Sequence, residues 1–224
     1  MSVFKPLLPG ATLSARLFAA LGATFGILAT IMLCGAWPFP AADLPVIVAP
    51  LGASAVLVFA VPSSPLAQPW PVVGGNLLST LVGIAAFRLV PGTTLAAGVA
   101  VGGAILVMSL CRCLHPPGGA AALTAVIGGT AVHAAGWRFA FVPMGINSLV
   151  LVAAGVLFHW PRTHRYPHRP ALLPPAFPPV RLHEADIDAA LVQMRDSFDI
   201  DRDDLSALLA HAERHAAERT GRAR

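Results

Sequence analysis

Charge is what this chain has least of. Between Leu17 and Trp160 the acidic and basic residues are Asp43, Arg88, Arg112 and Arg138 alone. Over all 224 residues, 12% are charged and 56% hydrophobic, and the mean hydropathy is +0.70. A soluble domain is about one-quarter charged, so the composition excludes an ordinary soluble fold. With carboxylates this sparse, the apolar part holds no acid–base pair. Its basic residues do not form the groove interleaved with aromatics that nucleic acid requires, and no nucleic-acid partner is expected. The formal charge is +4, and most of the charged residues lie at the chain ends, where they suit a cytoplasm and anionic lipid.

Other scarcities narrow the field further. The three cysteines, Cys34, Cys111 and Cys113, lie in or beside apolar stretches, which excludes a disulfide framework and predicts free thiols. The first apolar run is longer than a signal-peptide core and no A-x-A site follows it. Leu33 before Cys34 is too large for a lipoprotein site. No Walker loop, Rossmann fingerprint or nucleophile motif is present, so no enzymatic activity and no cofactor are expected. Asp199-x-Asp201-x-Asp203 departs from a calcium loop, with Asp204 at the sixth position and Ala210 at the twelfth. Cys111-x-Cys113-x-His115 has no fourth ligand nearby, so no metal is expected there.

What the chain does have is six apolar stretches: about 17–36, 44–60, 71–87, 93–111, 117–132 and 139–160. Crossing a hydrocarbon core of about 30 Å takes about 20 helical residues. The first, fourth and sixth meet this. The second and fifth are cut by Pro45 and Pro50 and by Pro116, Pro117, Gly118 and Gly119. Helices starting near Leu51 or Gly118 reach only about 15–22 Å, so both are expected to be broken or re-entrant.

These two interruptions share a pattern. Pro50-Leu51-Gly52-Ala53-Ser54-Ala55 matches Pro117-Gly118-Gly119-Ala120-Ala121-Ala122 as Pro-x-Gly-Ala-x-Ala. Gly22-x-x-x-Gly26 followed by Met32 matches Gly98-x-x-x-Gly102 followed by Met108, and Asn76 after Gly74-Gly75 resembles Asn147 after Gly145. Each half reads long helix, broken segment, then a helix with an inward Asn. Three spans per half reverse the second half's entry side. The expected fold class is therefore an all-α membrane protein of six transmembrane segments, arranged as two inverted three-helix repeats. Lys5 and Arg16 before the first helix, with Arg162, Arg165 and Arg169 after the last, place both termini in the cytoplasm. The GxxxG faces suggest a homo-oligomer, most simply a dimer.

Four regions follow: a cytoplasmic N-terminus at 1–15, a transmembrane domain at 16–160, a Pro-rich linker at 161–180 and a helical tail at 181–224. The tail is amphipathic through Ile187, Leu191 and Met194 and then Leu205, Leu208 and Leu209, with Asp201 a candidate N-cap.

The broken helix starts are the candidate binding site. A first turn of Gly, Ala and Ser leaves backbone N–H groups uncovered at the positive end of the helix dipole, which suits a small inorganic anion. The candidate residues are Gly52, Ala53 and Ser54 at one start and Gly118, Gly119 and Ala120 at the other, with Asn76 and Asn147 as neutral donors. The bland alternative is that the glycines only let helices pack. His115, just before the Pro-Pro pair, can titrate near neutral pH or simply bond a carbonyl. Arg88 and Arg112 can snorkel to headgroups.

The string His115-Pro116-Pro117-Gly118-Gly119 followed by Ala122-Leu123 resembles the signature of the HPP family of integral membrane proteins. Upstream, Gly52-Ala53-Ser54-Ala55 and Ser64-Pro65-Leu66-Ala67-Gln68-Pro69 add to the resemblance, which covers about 15–160. It implies a multi-pass membrane protein of the bacterial inner membrane, and plant and cyanobacterial relatives suggest nitrite as the transported anion. Bacterial members often carry CBS domains; this chain stops before one, so nucleotide regulation through that module is not expected. A non-transporting scaffold or sensor working through the tail is the competing expectation.

Overall fold

A computed structural model describes residues 13–36, 45, 47–160 and 166–168, together with 186, 189–190, 193, 205 and 208–214. These fall into two compact units, one comprising Ser14–His168 and the other the remaining ends of the chain. The described residues of the second unit are helical, including 208–214. The expected cap Asp201 and the apolar positions Ile187, Leu191 and Met194 lie outside the described residues, as does most of the linker.

The regular elements of the larger unit are all helical among its described residues. In order come α1 (Leu13–Gly35), α2 (Pro50–Ala60), a 3-10 turn (Pro65–Ala67) and α3 (Pro69–Leu89). Then follow α4 (Thr93–Leu110), α5 (Pro117–Ile127), α6 (Thr130–Ala135), a kinked segment (Ala140–Gly145) and α7 (Ile146–His159). Four helices are long and apolar enough to cross a membrane: Leu13–Gly35, Pro69–Leu89, Thr93–Leu110 and Ala140–His159, the last kinked at Val142. At 11 residues each, α2 and α5 rise about 16 Å, roughly half a hydrocarbon core. They start at Pro50 and Pro117, one residue before the expected Leu51 and Gly118. Proline suits the first helical position, where its missing N–H has no partner to lose.

The long helices are inverted relative to those of a water-soluble bundle. On α1 the buried positions are Gly22, Gly26, Thr30 and Cys34, one narrow stripe at every fourth residue. Leu17, Leu21, Leu28 and Met32 face outward. On α4 the buried positions are Ala96, Ala100, Ala104 and Met108, while Leu95, Val99, Ile105, Leu106 and Leu110 are exposed. Lipid is as apolar as leucine, so large side chains gain little by turning inward and small ones let backbones approach. A Cβ on Gly83 of α3 would overlap the Ala122 backbone of α5, which is why that crossing is as close as it is. The two GxxxG stripes have different fates. A Cβ at Gly22 or Gly26 would strike Phe59 at 2.6 or 2.5 Å, whereas Gly98 and Gly102 face open space.

Contacts at the helix ends fix which termini share a face. Phe18 packs against Phe158 with ring centroids 4.3 Å apart, Trp70 Nε1 donates to the Cys111 carbonyl (3.1 Å) and Tyr166 Oη donates to the Ala67 carbonyl (2.8 Å). The start of α1, the start of α3 and the ends of α4 and α7 are thus gathered together. At the other end, Asn147 Nδ2 donates to Cys34 Sγ (3.1 Å), and Phe87 stacks on His133 at 3.8 Å. The expected linker begins at 161, yet the compact unit continues to His168, because Tyr166 is buried and bonded to the turn before α3.

Candidate functional site

His115 is fully buried, at the point where α4 has ended and α5 has not begun. Its Nδ1 lies 2.9 Å from the Leu66 carbonyl and its Nε2 lies 2.8 Å from Ser54 Oγ. A carbonyl only accepts, so Nδ1 carries the proton. In a neutral ring Nε2 then accepts from the Ser54 hydroxyl, an assignment that rests on the hydrogen-bond pattern. Ser54 also has the Pro50 carbonyl one turn back, at 3.2 Å. The bond from Ser54 to His115 joins α2, one turn in from its start, to the residue two positions before α5.

Asn76 of α3 is the hub. Its Nδ2 donates to Ser54 Oγ and to Ser148 Oγ of α7, both at 3.2 Å. Ser148 in turn donates to the Met144 carbonyl (2.9 Å) in the kinked segment before α7. The chain kinks just before α7, where Val142 is extended (φ −132°, ψ 112°) and Pro143 follows. Two atoms of the cluster stay without partners although fully enclosed: Asn76 Oδ1 and Ser79 Oγ. Thr80 closes onto the Asn76 carbonyl at 2.7 Å. Asn147 stands apart from this hub. Its Oδ1 accepts from the Val48 N–H (3.2 Å) just ahead of α2.

The two helix starts adopt the same local geometry. Ala49 has φ −52°, ψ −38° and Pro116 has φ −52°, ψ −40°, so both chains are already helical one residue early. Leu51 and Gly52 donate to the Val48 and Ala49 carbonyls, each at 3.0 Å; Gly118 and Gly119 donate to the His115 and Pro116 carbonyls at 2.8 and 3.0 Å. The sequence led us to expect uncovered first-turn N–H groups, but turn carbonyls occupy them, because Ala49 and Pro116 extend each helix backward. What remains at these starts is the dipole and access. Gly52, Ala53 and Ala120 are exposed and Gly119 is half-buried. A Cβ on Gly52 meets nothing within 4 Å, and one on Gly119 meets only Val101 at 3.9 Å. Gly118 differs: a Cβ there would lie 2.6 Å from Ser79 Oγ and 2.8 Å from Met108 Sδ, so its role is packing.

Of the residues singled out from sequence, Ser54, Asn76 and His115 meet in one cluster, Gly52, Ala53, Gly119 and Ala120 border an open face, and Asn147 secures the approach to α2. Ser148 and Ser79 were not among them. The available signal was helical spacing: Ser79 and Thr80 share the Asn76 face of α3 at three and four residues. The arginines stay outside. Arg88, Arg112 and Arg138 are all exposed, and the Arg88 guanidinium lies over the Trp137 ring at 5.5 Å, a cation–π contact typical of an interface.

Four spanning helices, two half-length helices and a buried polar centre without charge define an integral, multi-pass α-helical membrane protein. The chain belongs to the HPP family: the family model for the HPP transmembrane region matches residues 8–167. Two transmembrane proteins of Dictyostelium discoideum are similar. One is 37% identical over 131 residues, covering 56% of this chain and 46% of that protein. The other is 38% identical over 120 residues, covering 51% and 38%. The chain thus spans less than half the length of these relatives. No solved structure matches it.

Proposed function

We propose that the protein is a bacterial inner-membrane transporter, not an enzyme, for a small inorganic anion, with nitrite the best candidate on family resemblance. The observation that carries this reading is the neutral cluster of Ser54, Asn76, His115 and Ser148 where two half-length helices begin. A buried polar cluster in a lipid-facing bundle is costly to retain and marks a solute path. Half-helix dipoles aim positive ends at that path without any fixed cation, so an anion is held weakly enough to leave. Asn76 Oδ1 is an acceptor and repels a bare anion. We therefore place the anion on the open side, against Gly52, Ala53, Gly119 and Ala120.

The matched dihedrals at Ala49 and Pro116 support two inverted three-helix repeats, in which α2 and α5 are equivalent. Both termini lie in the cytoplasm on this reading. Two chains associate through the open Gly98/Gly102 stripe, since Gly22 and Gly26 are taken up by Phe59. The test is flux of nitrite, nitrate, formate and chloride into proteoliposomes. Protein-dependent nitrite flux supports the reading, and absence of flux for all four anions removes it.

A second reading, a scaffold or sensor acting through the tail, is favoured by the docking of Tyr166 and His168 onto the turn before α3. Deleting the chain after Pro170 separates the two. Transport survives the deletion, whereas a scaffold loses its function.

A further inference from the structure

Three consecutive residues in the turn before α3 each accept one hydrogen bond from a distant part of the chain. The Leu66 carbonyl accepts from His115 Nδ1 (2.9 Å), the Ala67 carbonyl from Tyr166 Oη (2.8 Å) and Gln68 Oε1 from the His168 N–H (2.9 Å). The turn itself is stiff. Ser64 caps it by accepting from the Leu66 N–H (3.3 Å), and Gln68 Nε2 reaches back to the Pro62 and Ser64 carbonyls, both at 2.9 Å. Pro65 and Pro69 bracket it and fix φ at both ends.

We infer that Tyr166 and Gln68 are positioning residues for the His115 imidazole, so that the segment leaving α7 sets the state of the buried polar cluster. Adjacent peptide planes share a Cα, so a rotation at Ala67 turns the Leu66 carbonyl with it. That carbonyl is the group that keeps the proton on His115 Nδ1, and with it the direction of the Ser54 hydroxyl. Ser54 has a ready alternative acceptor in the Pro50 carbonyl at 3.2 Å, so the cluster can answer a shift of the turn without leaving a hydroxyl unbonded. Tyr166 is closely seated: a Cβ on Gly155 would lie 3.2 Å from its ring. Immediately after His168 the chain passes into the second compact unit, at Arg169. Residues 166–168 thus form a strap held on that turn. This inference rests on reading the polar cluster as the working site, but its test needs no transport.

The full-length chain in detergent, labelled with 15N-histidine, reports the tautomer of each ring by NMR, and His115→Gln assigns the signal. At neutral pH the wild type should show His115 as a single Nδ1–H tautomer. Tyr166→Phe keeps the ring packed and removes only the hydroxyl, and Gln68→Ala removes the neighbouring acceptor. Each should convert His115 to a mixture of tautomers or shift its signals. Thr30→Val removes an equally buried bond, from Thr30 Oγ1 to the Gly26 carbonyl on α1, and should leave His115 unmoved. Unchanged His115 signals in both strap variants overturn the inference, as does an equal shift in Thr30→Val. A wild type with no anion flux but a strap-sensitive His115 would remove the transport reading and leave this coupling standing.

Discussion

Replacing Asn147 by alanine should cost far more than replacing Asn76, although the two were equivalent in sequence. Asn76 loses two neutral bonds, to Ser54 and Ser148 at 3.2 Å each, worth about 1 kcal/mol apiece. Both serines keep their own acceptors, in His115 and the Met144 carbonyl. The substitution also removes Oδ1, a buried acceptor with no partner, whose burial costs about 1–3 kcal/mol. These terms nearly cancel, leaving the small cavity. Asn147→Ala instead strips the acceptor from the Val48 N–H, leaving a donor buried beside the start of α2 at about 1–3 kcal/mol, and releases Cys34 as well. The cavity is the same size in both, so the difference should be about 2 kcal/mol. For a chain of this length that is a gap of about 4–8 °C in melting temperature. Intrinsic-fluorescence melting of both variants in one detergent reads it directly. If Asn76→Ala melts as low as Asn147→Ala or lower, the account of the unpartnered Oδ1 is wrong.

Gly83→Ala and Gly118→Ala should each lower the melting temperature by several degrees, since a Cβ meets the Ala122 backbone in one and Ser79 and Met108 in the other; overpacking of this kind costs about 1–3 kcal/mol. Gly52→Ala, facing open space, should melt within about a degree of wild type, with loss of monodisperse protein on size-exclusion as the contrary result. Gly52→Val and Gly119→Val should fold yet lose nitrite flux in proteoliposomes, because bulk covers the helix starts; normal flux in both would make the repeated motif a packing device. Burial holds the Tyr166 phenol well above its ordinary range. Stability tied to the neutral phenol is thus complete below the unfolded value of about 10 and is lost as pH rises beyond it. Tyr166 is the chain's single tyrosine, so tyrosinate absorbance in an alkaline titration should rise only as the strap or the fold gives way, and a simple titration centred near 10 in folded protein would contradict the buried seat.

Three of the four long apolar helices were legible because lipid imposes a length and a polarity that hydropathy measures; the stretch at about 71–87 became a fourth only because α3 runs from Pro69 to Leu89. The breaks at Pro50 and Pro117 were legible because proline lacks an N–H wherever it stands. The half-length helices, the free thiols of Cys34, Cys111 and Cys113 and the inward course of Ser54 and Asn76 all follow from such local rules. Much of the site was not legible. Ser148 meets Asn76 beyond the kink at Val142, and Pro143 announces a kink without saying which side chain it brings to α3. Gly22/Gly26 and Gly98/Gly102 are the same motif, yet one is filled by Phe59 and the other open.

By itself, then, the sequence determined that this is an integral membrane protein of the HPP family, where its helices break, and that its centre is polar without charge. Those properties depend on composition and on residues a few positions apart. Tertiary structure alone decided that the helix-start N–H groups are closed by turn carbonyls and that His115 is pinned between Leu66 and Ser54. It also decided that Tyr166 returns to the turn that holds His115. Each of those facts joins residues that are distant in the chain or depends on the dihedrals of Ala49 and Pro116, and side-chain type carries no record of either.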